Sequence, residues 1–232
     1  AAIDVSIESS IPTHALIVKT AGACNINAMI GLHDSITIAA KDIAFNADTA
    51  SERLTLICNK DTLNSIKINA EVITNSLNAT ANKLIISVKL DAKTRILDCN
   101  KISIEQTGAF TSVGFSNPIY EAENSNKLAY VAPVDTESRI NSDFLENRGR
   151  FESHHGTVIV KNEIACLEHS VTKFSDDKLI FAKISFDSSG SFEASDSHLI
   201  WVKTKGQNTS RLALEGIIKL TRTIIQHPRT FV

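Results

Sequence analysis

Apolar and polar positions alternate along most of the chain. Ile3, Val5, Ile7 and Ile11 share one parity with Ser9 and stop at Pro12, the pattern of an extended segment with one apolar face. Short runs of the same kind recur at Leu54-Thr55-Leu56-Ile57, Ile66-Lys67-Ile68, residues 84–90 and Ile102-Ser103-Ile104. They return at Val158-Ile159-Val160, Leu179-Ile180-Phe181, Ile184-Ser185-Phe186 and residues 199–202, and end with Leu212, Leu214, Gly216, Ile218 and Leu220 on one parity. Clusters of Asn, Asp, Lys and Ser between the runs supply the turns.

No segment carries a long helical stripe, and residues 77–84 or 136–147 offer room for a turn or two of helix at most. Many short strands with little space for crossover helices predict an all-β chain folded as an antiparallel sandwich. No internal repeat and no low-complexity linker stand out. Residues 106–153 form the one compositional break, rich in Asn, Ser and Glu with Pro118 and Pro133, and read as a long insertion within a single sandwich.

Composition narrows the function. With 24 Lys+Arg against 26 Asp+Glu the net charge of −2 gives no global field for nucleic acid or anionic membrane. The apolar runs are too short to span a bilayer. Glycine and proline are scarce, 9 and 4 residues, and no glycine-rich phosphate loop, nucleophile elbow or HExxH motif occurs. The chain opens Ala1-Ala2-Ile3, as expected of a mature exported protein cut at a small-residue signal site. Cys24, Cys58, Cys99 and Cys166 are even in number and widely spaced, which suits two disulfides better than zinc. Of the three connectivities, Cys24–Cys58 with Cys99–Cys166 keeps each crosslink between neighbouring strands, and the first would contribute roughly 3–4 kcal/mol.

The start, Ile3-Asp4-Val5-Ser6-Ile7 through Ile11-Pro12 to Leu16-Ile17-Val18-Lys19-Thr20-Ala21-Gly22, resembles the mature N-terminus of major pilins of the alpha (class 5, colonisation-factor antigen I) group of chaperone–usher fimbriae. Asp42-Ile43-Ala44-Phe45, Asn59-Lys60 and Leu84-Ile85-Ile86-Ser87-Val88 are similar to that group's central strands, and Glu215-Gly216-Ile217-Ile218-Lys219-Leu220-Thr221 to its final strand. The resemblance implies an immunoglobulin-like sandwich lacking one strand, which the N-terminal extension of the next subunit completes by strand addition. Residues 1–14 would then be that donor extension, with Ile3, Val5, Ile7 and Ile11 entering pockets. Residues 15–232 would be the sandwich, with Leu212, Leu214, Gly216, Ile218 and Leu220 lining the acceptor groove. The implied partners are neighbouring fimbrial subunits, a periplasmic chaperone and an outer-membrane usher, with a host glycan or protein as receptor. The implied location is the cell surface, reached through the periplasm.

Candidate chemistry is sparse. Glu152, His154 and His155 form the densest group of potential ligands, and Cys166-Leu167-Glu168-His169 is the one Cys-x-x-His. Neighbouring residues of a strand face opposite sides, so His154 and His155 cannot both serve one ion from regular backbone. No metal, cofactor or catalytic residue is therefore expected, nor nucleic-acid binding or membrane insertion. The expected function is a structural and adhesive subunit of a bacterial fimbria. A secreted β-sandwich carbohydrate-binding module and a viral jelly-roll coat protein are the alternatives.

Overall fold

The computed structural model describes residues 3–11, 14–113, 138–187, 189–202 and 217–226. These form strands, as the alternation predicts, but every strand pairing is parallel. The chain winds as a β-solenoid of about eight turns, so the antiparallel immunoglobulin-like sandwich is overturned. Residues 77–84, read as a place for helix, lie inside the strand Glu71–Ile86.

Each turn crosses three ladders in a fixed order. Face one stacks Val5–Ile7, Cys24–Ile26, Ile43–Phe45 and Ser65–Ile68, and continues through the C-terminal parts of Glu71–Ile86 and Lys89–Ile104. Face two runs from Thr49 through Val72, Leu90 and Ala109–Ser112 to Arg150–His154, Val171–Ser175 and Ser191–Ser195. Face three runs from Ala15–Lys19 to His198–Trp201 and Ile224–Gln226. Successive partners on face one, Val5, Cys24, Ile43, Ile66, Leu84 and Ile102, lie 19, 19, 23, 18 and 18 residues apart.

This winding explains the sequence pattern. Each face has one side toward the axis and one toward water, so a parallel sheet shows the alternation usually associated with antiparallel ones. The crossover that a parallel pair requires is supplied by the strands of the other two faces rather than by a helix. In-register stacking puts like residues above one another. Ile26, Phe45, Ile68, Ile86 and Ile104 make one inward column of a single buried core that reaches from Ile7 to Trp201. Phe110, Phe151, Phe174 and Phe192 make an aromatic ladder with centroid spacings of 5.1, 5.6 and 5.5 Å.

Polar side chains stack at the corners. Asn46 Nδ2 donates to Asn27 Oδ1 at 2.8 Å and Asn69 Nδ2 to Asn46 Oδ1 at 2.9 Å, an amide ladder where face one turns into face two. At the later corners between faces two and three, His155, Asp176, Asp196 and Arg222 all have φ between 47° and 52°. His155 N, Asp176 N and Asp196 N each donate at 3.0 Å to the strand end of the next turn. The bend thus uses left-handed residues, for which Asp and His are better suited than most, while the ladder stays continuous.

Within the 106–153 stretch, Ala109–Ser112, Arg139–Asn147 and Arg150–His154 are strands of the stack. Only residues 114–137 of it lie outside the described residues.

Candidate functional site

The residues expected to act as a donor strand belong to their own chain's stack. Val5–Ile7 pairs in parallel with Cys24–Ile26, Ile7 is buried in the core, and Val5 and Ile11 pack against it, while Ile3 is exposed. Donor-strand completion of a sandwich is therefore corrected together with the fold. Of the expected groove strand, Ile218 packs against the core and Leu220 is exposed on Ile217–Thr221, whereas Leu212, Leu214 and Gly216 lie outside the described residues.

Cys24, Cys58, Cys99 and Cys166 are free and buried, so neither expected disulfide is present. Stacking gives the reason. Cys58 and Cys99 each occupy an inward position that the next turns fill with Ala81 and Ser142, small residues suited to a tight corner. Burial pushes the Cys58 and Cys99 thiols up to about 12 and Cys166 to about 11, with Asp42 and Cys24 adding to the effect at Cys58. Such thiols are poor nucleophiles and poor ligands. His155 pairs with Asp176 at 3.5 Å, and no group of three metal-ligating side chains occurs among the described residues.

Two constellations do emerge. The first is interior. On face three an inward column runs Leu16, Ile36, Leu54, Leu77 and then Arg95. Its continuation, one residue before the paired Arg139, Thr157, Lys178, His198 and Ile224, is Ser138, Gly156, Asp177, Ser197 and Thr223. The Arg95 side chain runs down this column. Its Nη1 donates to Ser112 Oγ, to Ser138 Oγ at 2.8 Å and to the His154 carbonyl at 3.1 Å, and its Nη2 donates to Ser153 Oγ and faces Asp177 Oδ1 at 3.5 Å. Both charged side chains are fully enclosed, and Arg95 Nε has no partner among the described residues.

Gly156 makes room for this passage, since a Cβ there would lie 2.5 Å from the Ser138 carbonyl and 2.9 Å from Arg95 Nη2. Burial lowers the Arg95 guanidinium to about 10 and raises the Asp177 carboxyl to about 6, the attraction between them only partly opposing each change. Ser112 and Ser138 lie on either side of residues 113–137 in the sequence, so one guanidinium ties together the end of Ala109–Ser112 and the start of Arg139–Asn147.

The second constellation is on the surface, where face three turns into face one. Most turns there are short, but the 23-residue interval adds a ledge at residues 58–64. The ledge is held from both sides. Lys60 Nζ meets Asp98 Oδ1 at 2.5 Å, while the Lys60 carbonyl accepts from Asn82 Nδ2 and Asn100 Nδ2 at 3.1 Å each. Asp61 N donates to Asn59 Oδ1 at 2.9 Å and Asn64 N to the Thr62 carbonyl at 2.7 Å. Between ledge and stack lies an open groove of about 740 Å³, whose apolar lining is Ala21, Ala39, Ala40 and Ile57. Lys19, Lys41, Asn59 and Asn64 also line it, and its lining contains no acid.

Neither constellation was singled out in the sequence. A signal existed for the first, because Arg95 shares the parity of Leu97 and Cys99 within one strand. The second showed only as a lengthened interval between Asp42-Ile43 and Ile66-Lys67.

No known protein family, curated protein or solved structure matches the chain.

Proposed function

We propose that the chain is a structural and adhesive element of a bacterial cell surface, a stiff rod that carries a receptor-binding face. The observation that supports this reading most is the parallel register, kept from turn to turn apart from shifts between Ile30 and His33 and between Ser142 and Phe144. About eight turns, each advancing ~4.8 Å, make a core-filled rod of roughly 40 Å whose three faces repeat at constant spacing. Stacked turns contact only their neighbours, so such a body gains length without gaining cross-section and offers an extended surface to a partner. The ledge at residues 58–64 is a departure from minimal turn length whose middle, including the exposed Leu63, builds surface beyond the buried Cys58 and Asn64.

The chaperone and usher were implied through a missing sandwich strand, and that premise goes with the sandwich. The carbohydrate-binding module and the coat protein lose the sandwich on which they were framed, and the solenoid says nothing about their functions. What is retained is adhesion to a host glycan or protein at the bacterial surface. Beads coated with the purified chain should adhere to epithelial monolayers in a saturable way that free chain competes. Adhesion no greater than that of albumin-coated beads would overturn the adhesive reading.

A further inference from the structure

The ledge groove carries one feature that rod-building does not require. Asn64 is 7% exposed, lines the groove, and its side-chain amide has no hydrogen-bond partner among the described residues. Its backbone is fully used, N–H to the Thr62 carbonyl and C=O to Lys83 N, so the residue is fixed while its carboxamide is left over. The carboxamide is not one of the sealed, unpaired polar atoms of the interior, so it meets the open groove, where a ligand group can take the place of water.

The charge around it says which partner. Among the described lysines, Lys60, Lys89, Lys101, Lys161, Lys183 and Lys219 each meet a carboxylate, whereas Lys67, Lys83, Lys93, Lys173 and Lys178 meet none, nor do the two that line the groove. Those two, Lys19 and Lys41 on successive turns, form no ion pair among the described residues and stand exposed with no acid in the lining. Two unneutralised cations, two carboxamides and a lining of small apolar side chains fit a ligand that joins anionic groups to hydroxyls and presents flat C–H surface.

We propose that this groove binds an anionic oligosaccharide, its carboxylate or sulfate groups against Lys19 and Lys41 and a ring hydroxyl or ring oxygen on the Asn64 carboxamide. The proposal rests on the adhesive reading for its biological use, and supplies that reading with a receptor class. The ledge is fixed to the stack by Lys60, so the site is preorganised and binding spends little on ordering it.

Isothermal titration with three probes tests it: a sulfated heparin tetrasaccharide, a carboxylated tetragalacturonide and neutral maltotetraose. At least one anionic probe should give a saturable isotherm, the two anionic arms telling sulfate from carboxylate, while maltotetraose gives none. Lys19→Gln with Lys41→Gln should weaken binding about tenfold or more without moving the unfolding midpoint. Asn64→Asp, isosteric but negative, should weaken it as well. Lys173→Gln with Lys178→Gln, distant on the rod, should leave it unchanged. No saturable binding of either anionic probe, equal losses in both lysine pairs, or tighter binding of a Glu-rich peptide at the same lysines would each overturn the proposal. Adhering beads without oligosaccharide binding would remove the groove alone. Oligosaccharide binding without bead adhesion would remove the adhesive reading alone.

Discussion

The early and late turns share one backbone path and fill it in opposite ways. Along the same inward column of face three, the early turns place Leu16, Ile36, Leu54 and Leu77, and the later turns place Arg95, Ser138, Gly156, Asp177, Ser197 and Thr223. Polar ladders sit outside in the first region, as in Asn27, Asn46 and Asn69, and inside in the second. In-register stacking accounts for both, because each residue's nearest partners are its counterparts one turn away. An apolar column continues itself, whereas one inward Arg must be answered by hydroxyls, a carbonyl, a missing Cβ and an acid over the next three turns. Polar burial of this kind favours one register over its neighbours, since a slip by one residue would strand the guanidinium.

The comparison breaks most severely at Asp177. Asp177→Ala leaves Arg95 charged and unanswered in a dry interior and should cost about 3–5 kcal/mol in urea unfolding. Leu77→Ala, in the same column on the apolar side, should cost about 3 kcal/mol through an ordinary cavity. Arg95→Met combined with Asp177→Leu should be less damaging than Asp177→Ala alone, because removing both charges relieves the penalty that removing one exposes. A double variant worse than the single would mean that the ion pair is itself the main stabiliser of the late turns.

The pH response distinguishes the regions next. Asp177 has a folded pKa of about 6, above the value of about 3.9 for an unfolded Asp. The native state therefore holds the proton more tightly, and this group's contribution to stability falls as pH rises from about 4 to about 6.5 and is constant above. Wild type compared with Asp177→Asn should lose on the order of 3 kcal/mol of relative stability across that window. Glu146 and Glu163, lowered by Lys101 and Lys183 respectively, act with the opposite sign, and the comparison with Asp177→Asn cancels them. A relative stability that rose with pH would refute the assignment.

Smaller effects mark the outside ladders. Asn46→Ala removes both links of the early amide ladder and should cost about 1 kcal/mol, read as a lowered unfolding midpoint. Arg222→Ala in the late corner, where Arg222 meets Asp196 at 2.7 Å in largely exposed surroundings, should shift the midpoint least of all.

Much of the strand content was legible and little of its arrangement. Leu54-Thr55-Leu56, Ile66-Lys67-Ile68 and Leu179-Ile180-Phe181 carry the alternation of strands and are strands. Alternation reports a sheet with one wet face and is silent on strand direction, and a lack of room for helices argues against parallel pairing only where helices are the crossovers. The deciding signal is a repeat of uneven spacing. Cys24-Asn25-Ile26-Asn27, Ile43-Ala44-Phe45-Asn46 and Ile66-Lys67-Ile68-Asn69 are one motif of apolar, any, apolar, Asn. The ledge at 58–64 stretches its second interval from 19 to 23 residues, and 43 residues separate Ile102 from Leu145, so no fixed period survives along the whole chain. Even cysteine count and wide spacing likewise could not separate bridged residues from small inward residues of stacked corners. The groove depends on Lys19, Lys41 and Asn64 being brought together from successive turns, which only the winding reveals.

The parallel register itself is open to one direct measurement, a nuclear Overhauser map of the isotope-labelled chain. The winding predicts that Ala44 shows cross-strand contacts to both Asn25 and Lys67, and Leu97 to both Ala79 and Ile140, in the pattern of parallel ladders. Strong Hα–Hα contacts of the close antiparallel kind between the strands Ile43–Phe45, Ser65–Ile68 or Lys89–Ile104 and their neighbours would contradict it.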